Sequence, residues 1–284
     1  MAVKRFIKGL FGSNLISPTK DEYGSYFANA SSLKSVDTSR QVGAAIFTKN
    51  GEIIITGCND VAKAGGGLFW EEDLEKNRDI DIGSEANKDE TSRIIYNFLK
   101  TLEDEDVIEN YKTDQILANP KIKDAISKSM IGEITEYGRM VHAEMNAITD
   151  AARLGRSLKD TDLYVTTYPC HNCAKHIVSS GISRVIYIEP YPKSRAPKLY
   201  RHAISDDENT NTVQFAHFYG ISPSIYKKIF ERAKRRDKDG KIQEWHNGKP
   251  KPVVPFKNVE GLIQKICEEF NRKFIDISSK INLI

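Results

Sequence analysis

Apolar residues recur at helical spacing over 21–36 (Tyr23, Phe27, Ala30, Leu33), which predicts the first helix of a folded domain. Two β-rich runs then flank Asn50-Gly51, the strongest short hairpin signal, and predict strands at 42–47 and 52–57. Residues 57–70 read as a loop with three consecutive glycines, and residues 71–138 as a charged, helix-compatible insertion with a helix at about 90–102. From His142 the pattern alternates. A helix runs to about Leu154 and stops at Gly155, a strand follows at 162–167, a second helix ends near Ser180 before Gly181, and a strand follows at 184–188. Helix, strand, helix, strand predicts a βαβ unit with parallel pairing. A further strand is expected at 212–218, a helix at 222–235, irregular chain through the Pro-rich 249–255, and an amphipathic helix at 259–274. Residues 1–20 carry little periodicity and read as a leader segment, 21–236 as the main domain, and 237–284 as a C-terminal extension.

Composition narrows the class. At 284 residues the chain can bury a sizeable core, and 39% apolar with 29% charged residues is ordinary for a globular protein. No apolar run has the length of a membrane span and the N-terminus lacks a secretory signal, so a cytoplasmic setting is expected. Four cysteines suit a reducing compartment better than a disulfide framework. A net charge of +3 does not argue for nucleic acid, and the basic cluster at 227–236 reads as a solvated helix face.

The chemistry concentrates in Met140-Val-His-Ala-Glu-Met-Asn-Ala-Ile148 and Tyr168-Pro-Cys-His-Asn-Cys-Ala174. His142, Cys170 and Cys173 offer one imidazole and two thiolates, enough to hold a divalent zinc near neutrality while leaving one tetrahedral position for water. Cys170 and Cys173 are one helical turn apart and would face the same way. His142 and Glu144 are only two apart, so both reach one metal only if His142 sits at the very start of its helix. A redox pair would leave His-x-Glu unexplained, and a closed four-ligand site would need Cys58, Cys267 or a distant His with no matching spacing. His-x-Glu followed by Pro-Cys-x-x-Cys is the signature of zinc-dependent nucleobase deaminases, with Glu144 as general acid/base. In the loop after the hairpin, Asn59 and Lys63 are candidate polar fingers toward a ligand; a flexible turn is the alternative.

The order hairpin, His-Ala-Glu helix, strand, Pro-Cys-x-x-Cys helix, strand over 21–235 resembles the cytidine/deoxycytidylate deaminase superfamily. Residues 166–175 and Val185-Ile-Tyr187 resemble its deoxycytidylate branch. Gly65-Gly-Gly-Leu-Phe-Trp70, Glu189-Pro-Tyr-Pro-Lys-Ser194 and Tyr219-Gly-Ile-Ser-Pro223 resemble the deaminase half of bacterial anti-phage dCTP deaminases, without the P-loop domain those proteins usually carry. The resemblance implies a three-layer α-β-α fold with a mixed central sheet of about five strands. It also implies that Asn59 meets the sugar or base and the Ala143 N–H the pyrimidine carbonyl. Arg40, Lys63 and Lys193 are the candidates for phosphate. The implied reaction is hydrolytic: water gives its proton to Glu144, hydroxide attacks C4 of cytosine, and Glu144 protonates N3 and then the departing ammonia. A free deoxycytidine nucleotide, dCTP or dCMP, is the implied substrate, with depletion of dCTP as an anti-phage role. A homo-oligomer and an inhibitory RNA or regulatory partner are implied as well. A polynucleotide or tRNA deaminase and a catalytically silent nucleotide-binding module are the rival readings.

Overall fold

A computed structural model describes residues 2–108, 112–207, 211–245 and 248–253. The described residues fall into two compact units, one spanning 19–219 and one that joins 2–18 to 220–253. In chain order the helices are α1 (Ala2–Leu10), α2 (Lys20–Ser32), α3 (Asp79–Ile82), α4 (Ala86–Asp104), α5 (Thr113–Ala118), α6 (Pro120–Lys128), α7 (Ala143–Arg153), α8 (His171–Ser179), α9 (Ala196–Leu199) and α10 (Pro223–Phe230). The strands are β1 (Gly43–Phe47), β2 (Ile53–Cys58), β3 (Asp60–Val61), β4 (Met140–Val141), β5 (Asp162–Thr167), β6 (Arg184–Glu189), β7 (Ile204–Ser205) and β8 (Val213–His217).

In the larger unit, α2 starts with reciprocal capping. The Thr19 hydroxyl accepts the Glu22 N–H at 3.1 Å, and the Glu22 carboxylate accepts the Thr19 N–H at 2.9 Å. The expected hairpin forms, and the main sheet runs β2-β1-β5-β6-β8-β7. β1 pairs antiparallel with β2 and β5, whereas β5, β6, β8 and β7 pair in parallel. The sheet thus has six strands rather than about five, because the two-residue β7 adds an edge too short to leave a periodic signal. Its two faces bury different sets. Ala44, Ile46, Leu163, Val165, Val185 and Phe215 pack with Ala143, Ala147 and Ala151 of α7 and Ala174 and Ile177 of α8. Ala45, Phe47, Tyr164 and Ile186 pack with Phe27 and Ala28 of α2. The result is the three-layer α-β-α arrangement with a mixed sheet.

Two glycines set how closely the helices approach. A Cβ at Gly43 would lie 1.9 Å from the carbonyl oxygen of Ala28 in α2, and one at Gly57 would lie 2.4 Å from that of Ala143 in α7. Both layers rest on bare backbone at these points.

Among the described residues the insertion holds four α-helices and a 3-10 turn (Met130–Glu133) where the sequence suggested one helix at 90–102. None of α4, the longest, is buried, which explains its weak periodicity. The smaller unit packs α1 with α10 around Ile16, Ile221 and Ile229. Helix α10 ends at Phe230, short of the expected 235, and belongs to this unit. The helix expected at 259–274 lies outside the described residues. No described helix is long and apolar enough to cross a membrane.

Candidate metal centre and cavity

The two-residue strands β3 and β4 pair antiparallel, Asp60 opposite Val141, and so bring the segment after β2 alongside the residue that precedes α7. His142 is that residue. It caps α7 in an extended conformation (φ −65°, ψ 153°), which lets its ring and the Glu144 side chain converge although they are only two positions apart. Cys170 plays the same part for α8, extended at φ −69° and ψ 167°, and its sulfur accepts the Cys173 N–H at 3.5 Å. Helices α7 and α8 thus present their positive ends to one spot, where they favour thiolate over thiol.

At that spot His142 Nδ1 lies 3.4 Å from Cys170 Sγ and 3.3 Å from Cys173 Sγ, and the three ligand atoms all fall within 4.8 Å of one another. A tetrahedral zinc with its usual bonds separates a nitrogen and a sulfur ligand by about 3.5 Å. The triad fits the ion in both donor chemistry and spacing, and it is the one such group among the described residues. Cys58 takes no part: its buried thiol is pushed up to about 11 by desolvation. Glu144 is 4% exposed and lies 3.4 Å from Cys173 Sγ.

The ionisation states follow from this crowding. The Cys173 thiol foremost, then the His142 ring, holds the Cys170 sulfur as a thiolate, down to about 4. In return Cys170, with burial, pushes Cys173 up, and its hydrogen bond raises His142 to about 9. Burial, followed by the charge of Cys170, raises the Glu144 carboxyl. His142 and Cys173 are thus pushed toward their protonated forms, and binding a divalent cation displaces those protons from the ligands.

His142, Cys170 and Glu144 line the floor of a cavity of about 590 Å³, with Cys173 fully buried beside them. Of the residues expected to bind substrate, Asn59, Ala143, Arg40 and Lys193 line it and Lys63 does not. Lys63 instead pairs with Asp73, and its loop folds over Arg153, whose side chain a Cβ at Gly66 would strike at 2.5 Å. Gly66 thus packs against the Arg153 side chain at the end of α7. Asn59 lines the cavity but has its hydrogen-bonding groups engaged. Its Oδ1 accepts the Val42 N–H at 2.7 Å, and its Nδ2 donates to Asp37 Oδ2 at 2.9 Å and to the Arg40 carbonyl at 2.8 Å. Asp37 Oδ1 in turn accepts the Ser39 and Arg40 N–H groups at 2.7 and 3.1 Å. Asn59 therefore pins the 37–42 loop that presents Arg40.

The sequence reading missed the far wall: Asp79, Glu85, Asn87, Thr135 and Gly138, all from the insertion, together with Tyr168 and Tyr191. No motif marks the insertion residues; a carboxylate or amide in a charged stretch looks the same at a cavity as in solvent.

Residues 18–189 match the cytidine and deoxycytidylate deaminase zinc-binding region. The chain is 32% identical over 166 residues to the deoxycytidylate deaminases of Enterobacteria phages T2 and T4, covering 58% of this chain and 77% and 75% of theirs. Among solved structures, a dCMP deaminase of cyanophage S-TIM5 in complex with dCMP and dUMP aligns with a TM-score of 0.40 and 18% identity, over 72% of this chain and 99% of that one. With its zinc triad intact, the chain belongs to the cytidine and deoxycytidylate deaminase family and is a zinc-dependent hydrolytic nucleotide deaminase.

Proposed function

We propose that the protein converts a deoxycytidine nucleotide and water to the deoxyuridine nucleotide and ammonia. The observation that carries this reading is a buried carboxyl, Glu144, 3.4 Å from one sulfur of the triad at the floor of a nucleotide-sized cavity. Zinc held by His142, Cys170 and Cys173 supplies Lewis acidity that makes water acidic enough to attack near neutral pH. Glu144 takes one proton from the attacking water and delivers it to N3 of the cytosine, then takes the proton of the new C4 hydroxyl and passes it to the amine as the C4=O bond forms and the C–N bond breaks. Its raised proton affinity suits a group that must hold a proton between those transfers. The Ala143 N–H, in the first turn of α7 where backbone N–H groups have no partner inside the helix, would donate to the pyrimidine C2 carbonyl. Arg40 and Lys193 at the mouth are the cations for the 5′-phosphate. Asn59 acts through the 37–42 loop.

The phage relatives, named deoxycytidylate deaminases, favour the monophosphate dCMP. The dCTP reading, with dCTP depletion in anti-phage defence, draws on the 189–194 segment, whose Tyr191 and Lys193 line the cavity. Initial rates of the zinc-loaded protein on dCMP, dCTP, deoxycytidine and single-stranded DNA separate these readings, with Glu144→Gln as the control. Turnover of a nucleotide that disappears in Glu144→Gln with zinc content unchanged is expected. Turnover of DNA alone, or turnover that survives Glu144→Gln, overturns the proposal. A homo-oligomer and an inhibitory RNA or other regulatory partner belong to the same reading; light scattering and co-purification test them.

A further inference from the structure

Both cations that line the cavity mouth already face a carboxylate. Arg40 lies 3.6 Å from Glu189, and Lys193 lies 3.2 Å from Glu133. The second pair joins two parts of the larger unit that are distant in sequence. Glu133 ends a 3-10 turn of the insertion (Met130–Glu133). Asn87 at the start of α4 holds the next residues: its side chain donates to the Ile134 carbonyl at 2.7 Å and accepts the Tyr137 N–H at 3.2 Å. Lys193 precedes Ser194, whose hydroxyl donates at 2.7 Å to the carbonyl of Pro169, the neighbour of the metal ligand Cys170. The pair therefore ties the insertion to the metal-bearing loop, and each partner is anchored by an adjacent hydrogen bond.

We propose that Glu133 is a placeholder for the substrate phosphate, a specificity-determining residue that holds Lys193 at the mouth until a 5′-phosphate displaces it. This rests on the nucleotide reading above. A phosphorylated substrate exchanges one anion for another at Lys193, whereas an unphosphorylated nucleoside leaves the pair in place. Glu133 therefore competes with phosphate alone. Exposure of 63% for Lys193 and 34% for Glu133 keeps the competition modest, about two- to five-fold in affinity, and sensitive to salt.

The test compares KM for dCMP and for deoxycytidine in wild type, Glu133→Gln, Lys193→Gln and the double variant at low and high ionic strength. Glu133→Gln is expected to lower KM for dCMP by about two- to five-fold without changing kcat, to leave deoxycytidine unaffected, and to have no effect once Lys193 is Gln. An unchanged dCMP KM, an equal change for deoxycytidine, or an undiminished effect in the Lys193→Gln background overturns the placeholder. If wild type prefers deoxycytidine to dCMP and dCTP alike, the nucleotide reading itself fails, a result separate from these.

Discussion

Gly57 is where the layer carrying the metal ligands rests on the sheet, and a single methyl group there tests the architecture. A Cβ at this position would lie 2.4 Å from the Ala143 carbonyl oxygen and 2.7 Å from the Ala147 nitrogen. Both are backbone atoms of α7, so no side chain can swing aside. Ordinary contact begins near 3.4 Å, and α7 must therefore retreat by about 1 Å. Ala143, Ala147 and Ala151 are fully buried there, so the retreat opens a well-packed seam; overpacking of this kind destabilises by about 1–3 kcal/mol. It also carries His142 and Glu144 away from Cys170 and Cys173 on α8, where the N–S distances are 3.3 and 3.4 Å. A displacement on the order of 1 Å at a reacting centre lowers rates about 100-fold. Gly57→Ala is thus expected to fold less stably, bind zinc less tightly and lose about two orders of magnitude in kcat. Gly155→Ala is the control. At φ 66° with nothing within 4 Å, it meets left-handed strain of about 1–2 kcal/mol just past the end of α7 and keeps its activity. Urea unfolding, bound-zinc content and initial rates on dCMP make the comparison. A Gly57→Ala protein with full zinc content and kcat within two-fold of wild type would refute the argument that this contact positions the site.

Replacing Asn59 by Ala removes three hydrogen bonds, one to a carboxylate, and should lower stability by about 2–4 kcal/mol. Because the loop it pins presents Arg40, nucleotide KM should rise more than kcat falls; an unchanged KM would return Asn59 to a purely structural role. Lys63→Ala should leave KM for every nucleotide unchanged, since Lys63 pairs with Asp73 away from the cavity; a several-fold rise would contradict its placement. The buried Cys58 thiol, raised from 9.0 to about 11 chiefly by desolvation, favours the folded state in its protonated form. Its contribution, at most about 3 kcal/mol, is complete below about pH 9 and is lost as pH rises toward 11. Urea midpoints should fall across that window, and Cys58→Ala should flatten the fall. Chelation should lower Tm, and added zinc should restore it in a concentration-dependent way, by about 4 kcal/mol at a thousand-fold excess over Kd. A Tm indifferent to zinc would count against the triad.

The chemistry and the central α/β alternation are both legible in the order of residues. His142, Glu144, Cys170 and Cys173 are legible because one metal imposes fixed residue types at fixed local spacing, and His142 at the extended cap of α7 meets the condition that its two-residue separation from Glu144 imposes. The strands at 43–47 and 162–167 are buried along their whole length and read as short apolar runs, while the half-exposed 52–57 is legible from the Asn50-Gly51 turn and its isoleucines, and 184–188 from its Val-Ile-Tyr-Ile run. The six-stranded count, the β3–β4 ribbon and the split of the insertion into four helices rest on elements too short or too exposed to leave a period. Which charged side chains meet the cavity, by contrast, follows from the packing of distant segments. Lys63 and Asn59 come from the same loop, yet one pairs with Asp73 outside the cavity while the other pins Arg40 to its wall. Glu133 reaches Lys193 across sixty positions of chain. A cation or carboxylate in a polar stretch is equally soluble whichever way it points, and its direction is set by packing between distant segments, which no local pattern encodes.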